Sequence, residues 1–291
     1  QQGIQDVQKM INELESITVG FNIDQTRQSV YLDFSVSAKE GTDTAKQFAY
    51  EDTTTQLAGF LTDSAAAQMN LSSSFDTAQV EQINISLEAL RSQAITQIQN
   101  DPVFPNEELR ALAIKAISTF MDVGNATLSS GKIDLAGSVD LTDAGISVVA
   151  AAVVPQAEQL DQIVRDFVKL ASEEDPSFPE VEIDAQKKGD TSFHVIRIPI
   201  PEYEAEARSA FGDTVEISIG MGPDRVYIGV GKDNLKRLSA AIDKSAANKG
   251  EKVSAALLKS SVSKMLQFAA EQTQDLNLQQ AAAAAASVTG K

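Results

Sequence analysis

The chain has 291 residues, 43% of them apolar, and carries 41 acidic against 24 basic side chains, a formal net charge of −17. That balance repels phosphate backbones and anionic lipid surfaces, so neither a nucleic-acid binder nor a basic membrane-surface protein is indicated. The absence of cysteine excludes disulfides, thiol chemistry and Cys-based zinc sites, and no run approaches the ~20 apolar residues that span a bilayer.

In chain order, Ile4, Val7, Met10, Ile11 and Leu14 recur at helical spacing. Ile17, Val19, Phe21 and Ile23 then alternate with polar or small residues, and Val30, Leu32, Phe34 and Val36 do so again after Asp24-Gln25-Thr26-Arg27. Period-two alternation of this kind predicts a hairpin with one face on a core. Thr18, Asn22, Tyr31, Asp33 and Ser35 fall on the other face. Gly41-Thr42-Asp43 ends the strand and can cap a short helix through Phe48.

A second hairpin is predicted from Leu57–Leu61 and Ala65–Phe75 about Thr62-Asp63-Ser64, followed by a helix from Asp76 or Thr77 carrying Val80, Ile83, Leu87, Leu90 and Ala94. After a helix near Leu109–Met121, a third hairpin joins Leu128–Leu141 to Ile146–Val154 across Thr142-Asp143-Ala144-Gly145. Its helix carries Leu160, Ile163, Val164, Phe167, Val168 and Ala171. A fourth pairs Val215, Ile217 and Ile219 with Val226, Ile228 and Val230 across Gly222-Pro223-Asp224-Arg225. Its helix carries Leu235, Leu238, Ala241 and Ile242, with Asp233 as the expected cap. Residues 251–272 have a helical pattern, and the Ala-rich end from Gln279 is expected to fray. Asp101-Pro102-Val103-Phe104-Pro105 and Asp175-Pro176-Ser177-Phe178-Pro179 echo each other after equivalent helices.

The fold expected is therefore α+β, with antiparallel sheets of repeated hairpin–helix units and helices packed on one face, in two pseudo-repeats. The halves are residues 1–122 and 123–248, with a C-terminal helix and Ala-rich tail over 249–291.

Few residues suggest chemistry. The one histidine, His194, sits in the strand-like run Ser192–Ile198; a half-buried strand histidine accounts for it better than a base or ligand, since metal sites recruit several His or Cys. Glu180, Glu182 and Asp184 alternate with Val181 and Ile183. In an extended chain they project to one side, where they either hold a hard cation such as calcium or guard a sheet edge with charge. Gly229-Val230-Gly231-Lys232 precedes a helix but lacks Walker spacing, and Asp233 opposes a phosphate. Asn70, Asn84 and Asn125 head glycosylation sequons. No catalytic constellation is assembled by local sequence, and no cofactor motif is present.

The stretch Ser29-Val30-Tyr31-Leu32-Asp33-Phe34, followed by Gly41-Thr42, and the Gly229–Ile242 run with its Lys-Asp-Asn-Leu helix start resemble uncharacterised secreted proteins of bacteria, especially planctomycete-type ones. The resemblance covers about residues 15–245 and implies export and a repeated α+β build; it assigns no functional residue. The start at Gln1-Gln2-Gly3 is read either as signal-peptide cleavage or as a trimmed end. A secreted or periplasmic location is expected, with a cytoplasmic one as the alternative.

The function expected is a non-catalytic binding or scaffold module of the bacterial envelope, with a protein or envelope component as partner. One alternative is a hydrolase with an acidic, cation-assisted site at Glu180–Asp184. Another is a lipid or lipoprotein carrier using an apolar sheet face, against which Asn22 and Asp33 weigh.

Overall fold

The computed structural model describes residues 11–24, 29–42, 45, 53–75, 77–101, 106–142, 145–174, 177–273 and 276–289. The expectations for residues 4–10, for the turn at 25–27, for the helix near 43–48 and for the proline runs at 102–105 and 175–176 lie outside them.

β1 (Leu14–Asp24) and β2 (Ser29–Ala38) form the predicted antiparallel hairpin, in register from Ser16↔Ser37 to Asp24↔Ser29. It is a sheet of its own. β3 (Thr53–Thr55) leads through a 3-10 turn, Ala58–Phe60, to β4 (Ala67–Ser74). The helices α1 (Thr77–Asn100) and α2 (Glu107–Ser129) follow. The start of α2 is set by Asn106, whose side chain accepts from the Leu109 amide at 2.6 Å, and by Glu107 and Glu108 in the first turn.

β5 (Lys132–Thr142) and β6 (Gly145–Val153) form a hairpin, and α3 (Glu158–Glu174) crosses to β7 (Glu180–Lys188) and β8 (Thr191–Pro199). The short α4 (Ala205–Phe211), β9 (Thr214–Met221), β10 (Arg225–Val230) and α5 (Asn234–Ala247) come next. The chain ends in β11 (Glu251–Val253), β12 (Ala256–Ser260), α6 (Val262–Thr273) and α7 (Leu276–Thr289).

The class is α+β. One antiparallel sheet of eight strands runs β12-β4-β5-β6-β10-β9-β8-β7, and β11 pairs separately with β3. The order places two consecutive runs of strands back to back: β4, β5 and β6 build outward, and β7 to β10 return inward until β10 meets β6. The third and fourth hairpins form as predicted, except that residues 128 and 129 finish α2.

The second predicted hairpin is corrected. Residues 58–60 form the 3-10 turn, and β4 pairs with β5 and β12 instead. The helix predicted over 251–272 begins only at Val262, because Glu251–Val253 and Ala256–Ser260 find open strand edges on β3 and β4. The Ala-rich end is helical to Thr289, in keeping with the helix propensity of alanine.

Helices stand on both sides of the sheet and not on one face as expected: α5 packs on the side of Phe193, and α3 is bonded to His194 on the other. On the side of Phe193, α5 and the 3-10 turn close a tight core of Leu57, Phe60, Ala136, Val149, Tyr227 and Leu238 with their neighbours. Tyr227 stacks between Phe60 and Phe193, with ring centroids 5.9 and 6.0 Å away. Two glycines permit the approach. A Cβ on Gly229 would lie 2.8 Å from Leu238 Cδ1, and a Cβ on Gly59 would overlap the Ala241 carbonyl of α5. Gly59→Ala is therefore expected to lift α5 off the turn. The loss is about 2 kcal/mol or more, read as a fall in Tm of roughly 5 °C or more; an unchanged Tm would show the contact to be slack.

Candidate functional site

Two features of the sheet bear on function: a charged network at its β7 end, and an apolar face only partly covered.

The network begins with a bulge. In β7 and β8, Glu182 pairs with Val195 and Gln186 with Phe193, so residues 183–185 lie opposite His194 alone. Asp184 adopts a left-handed conformation there, φ 55°. Its backbone N–H points at His194 Nδ1 from 3.0 Å, while His194 Nε2 lies 2.5 Å from Asp161 Oδ1 on α3. Nδ1 accepts, so the ring proton resides on Nε2 and is donated to Asp161. His194 is fully buried, beyond the half-burial expected, and both ring nitrogens are engaged in joining α3 to the sheet.

Arg165, one turn along α3, completes the network. Its guanidinium donates to Asp161 at 2.7 Å and to both oxygens of Asp184 at 2.7 and 2.9 Å. This bidentate bond holds the Asp184 carboxyl down at about 2, and the two carboxylates raise the Arg165 guanidinium above its ordinary value, Asp184 foremost.

The three carboxylates singled out from the sequence are divided. Glu180 and Glu182 do project together, and both meet Arg197 of β8, at 3.2 and 3.0 Å. The alternation breaks at Asp184, because the bulge turns it to Arg165. Among the described residues no group of three His, Cys, Asp or Glu gathers as a metal site. β7 is an end strand of the sheet, so these ion pairs line its exposed edge. Sequence reasoning missed Asp161 and Arg165. Their four-residue spacing announces an ion pair along a helix, but the reach to His194, 33 residues away, depends on where α3 crosses.

Gly231 and Lys232 lie at the start of α5 as read, but Asp233 does not cap it: it takes φ 58° and its side chain makes no capping bond. Asn234 is the anchor instead, fully buried, bonded to Ser218 Oγ and donating to the Glu216 carbonyl at 3.0 Å. Beside it an open cleft of about 790 Å³ is lined by Gln186, Arg197, Glu216, Lys232 and Lys236 among others. Of the sequon residues, Asn70 lies on β4, nearly buried and bonded to the Ser254 carbonyl, while Asn84 and Asn125 lie on α1 and α2.

The two faces of the sheet contrast in burial. On the Phe193 side, Ala136, Val149, Ala151, Val195 and Tyr227 are closed off. On the His194 side their strand neighbours are also apolar but only half-buried, among them Ala150, Ala152, Ile217, Ile219 and Val226. Ile228 is 43% and Ile198 38% exposed. Cross-strand register makes this face continuous: Ala150 stands opposite Ile228, Ile228 opposite Ile219, and Ala152 opposite Val226. α3 nevertheless stands on this side, and α2 and α1 follow from it. Asp161 ties α3 to His194, Lys115 of α2 bonds Asp166 of α3 at 2.7 Å, and Arg91 of α1 bonds Asp122 of α2. Of the apolar residues of α3, Leu160, Ile163, Val164 and Val168 are likewise half-buried, while Leu170 is buried and Phe167 exposed. The His194 face is thus closed off less completely than the Phe193 face, with Met221 buried on it and Ile228 exposed.

Asp184→Asn isolates the ion pair, since Asn tolerates the left-handed backbone. A carboxyl held at about 2 against an ordinary 3.8 contributes stability above about pH 4 that is lost as pH falls towards 2. With the side chain 37% exposed, solvent screening reduces that contribution to about 1 kcal/mol. Urea unfolding should thus show the parent chain losing about 1 kcal/mol more than Asp184→Asn between pH 5 and pH 2. Parallel losses would mean that the ion pair contributes nothing. Comparison of the chain with protein-family models, with curated proteins and with solved structures gives no match.

Proposed function

We propose that the chain is a non-catalytic binding module whose ligand is aliphatic, an acyl chain laid across the His194 face of the sheet beside α3. The observation carrying this reading is a continuous Val, Ile and Ala surface beside α3 that is half-buried, with Ile228 exposed. The step between α3 and the open sheet suits a ligand one chain thick better than a flat protein partner. Filling that space removes apolar area from water at about 25 cal/mol per Å².

The choice of an aliphatic over an aromatic ligand rests on the lining. Phe193 and Tyr227 stack on the opposite face, and strands β6, β9 and β10 present only Val, Ile, Ala and Met side chains to this one. The reading as a binder rather than a hydrolase rests on the commitment of the ionisable groups: His194 to Asp161 and the Asp184 amide, Glu180 and Glu182 to Arg197, Asp184 to Arg165. Export to a bacterial envelope belongs to the same proposal and rests on the resemblance over residues 15–245. Among the described residues no helix is long and apolar enough to cross a membrane.

Titration with a fluorescent palmitate analogue tests the proposal. The parent chain should bind the probe and release it to unlabelled palmitate. Ile228→Lys, which sets a charge on the face at a partly exposed position, should weaken binding at least about tenfold. Tyr203→Lys, at a position 84% exposed in the loop before α4, should leave it unchanged. No displaceable binding by the parent chain, or equal binding by Ile228→Lys, would overturn the reading.

A further inference from the structure

The two ends of the main sheet are unlike. At one end, β7 is guarded by Glu180, Glu182 and Lys187 and interrupted by the bulge at Asp184; charge and irregularity are the usual defences of an edge strand. At the other end, β12 pairs with β4 in unbroken register from Ala256↔Leu71 to Ser260↔Ala67, and among the described residues no strand pairs with its outer side. It reads Ala-Leu-Leu-Lys-Ser, with Leu257 38% and Leu258 82% exposed.

Leu258 stands beside Met69 of β4, itself 48% exposed, and α6 adds Val262 and Met265, also exposed. In a chain of net charge −17, no acidic residue lies between Glu251 and Glu271. The one charge on the strand, Lys259, faces Asp63 at 3.5 Å.

We infer that β12 is a self-association edge, on which a second copy of this chain adds its own β12 antiparallel. The strand is its own complement. A two-fold axis at Leu258 sets Leu258 against its mate, Leu257 against Lys259 and Ala256 against Ser260, without opposing like charges directly. The open row of N–H and C=O groups is satisfied in both copies at once, and the exposed leucines leave water together. Because β7 is guarded, growth stops at the pair and a filament does not form. This is independent of the acyl-chain reading, since β12 lies at the sheet edge, away from β6, β10 and β9.

The absence of cysteine makes the test direct. In Leu258→Cys, two thiols meet across the axis at the ~4.4–6.8 Å Cα separation that a disulfide needs. Mild oxidation of this variant should give a covalent species of twice the 31.1 kDa chain mass, and Tyr203→Cys should give none. Sedimentation of the full chain over a concentration series should show the same doubling reversibly. Leu258→Lys, with its circular-dichroism melt unchanged, should move the midpoint to at least tenfold higher concentration. A monomer at every concentration, a dimer indifferent to Leu258→Lys, or equal cross-linking of both cysteine variants would overturn the inference.

Discussion

The close approach of α5 to the centre of the sheet is the contact on which the remaining structure depends. Gly229 lets Leu238 sit against β10, Gly59 lets the 3-10 turn meet the Ala241 backbone, and Tyr227 is held between Phe60 and Phe193. Through this contact residues 58–60, β6, β8, β10 and α5 are packed as one unit. Asp134 on β5 extends it: buried, it accepts from Thr55 Oγ1 at 2.6 Å and from the Gln56 amide at 2.8 Å, fixing the segment that leads into the turn. A buried carboxylate with several donors is held in place strongly, because leaving it unpaired is costly.

With one face closed so tightly, the other can remain open. On the His194 side, α3 is joined to the sheet by Asp161 to His194 and by Arg165 to Asp184, and α2 and α1 are joined in turn to α3 and α2 by Lys115 to Asp166 and Arg91 to Asp122. The fold thus has one consolidated core and one apolar face that is only partly covered, and it is this second face that the proposed aliphatic ligand would occupy. Of the ionisable groups singled out from the sequence, His194 and Asp184 serve as links to α3, whereas Glu180 and Glu182 pair with Arg197 within the sheet.

Legibility followed locality. Alternation marked the third and fourth hairpins because both partners and the turn fall within one short window. It failed at residues 57–61 and 65–75, where β4 joins β5 across two long helices, and at 251–260, where two short strands pair with partners nearly two hundred residues earlier. A run such as Ala256–Ser260 has no periodicity of its own strong enough to oppose a helical pattern; an open edge decides it. At Asp184 the alternating pattern was present but the bulge overrode it, because the left-handed residue answers to His194 and Arg165, neither of which is adjacent in sequence. Asp233 was read as a cap from its position, and the left-handed turn at the start of α5 gave the anchoring role to Asn234 instead.

From the sequence alone come the α+β class, the alternation that marks the third and fourth hairpins, the exclusion of cysteine chemistry and the net acidity of the chain. These depend on composition and on spacing within a few residues. Only tertiary structure decided that the third and fourth hairpins share one sheet while β1 and β2 form another, which face is more fully buried, and that His194 lies between Asp161 and the Asp184 amide. Each of those outcomes is a choice among partners distant along the chain. Such a choice is made by how volumes fit and how buried polar groups are satisfied, and neither quantity is written in local order.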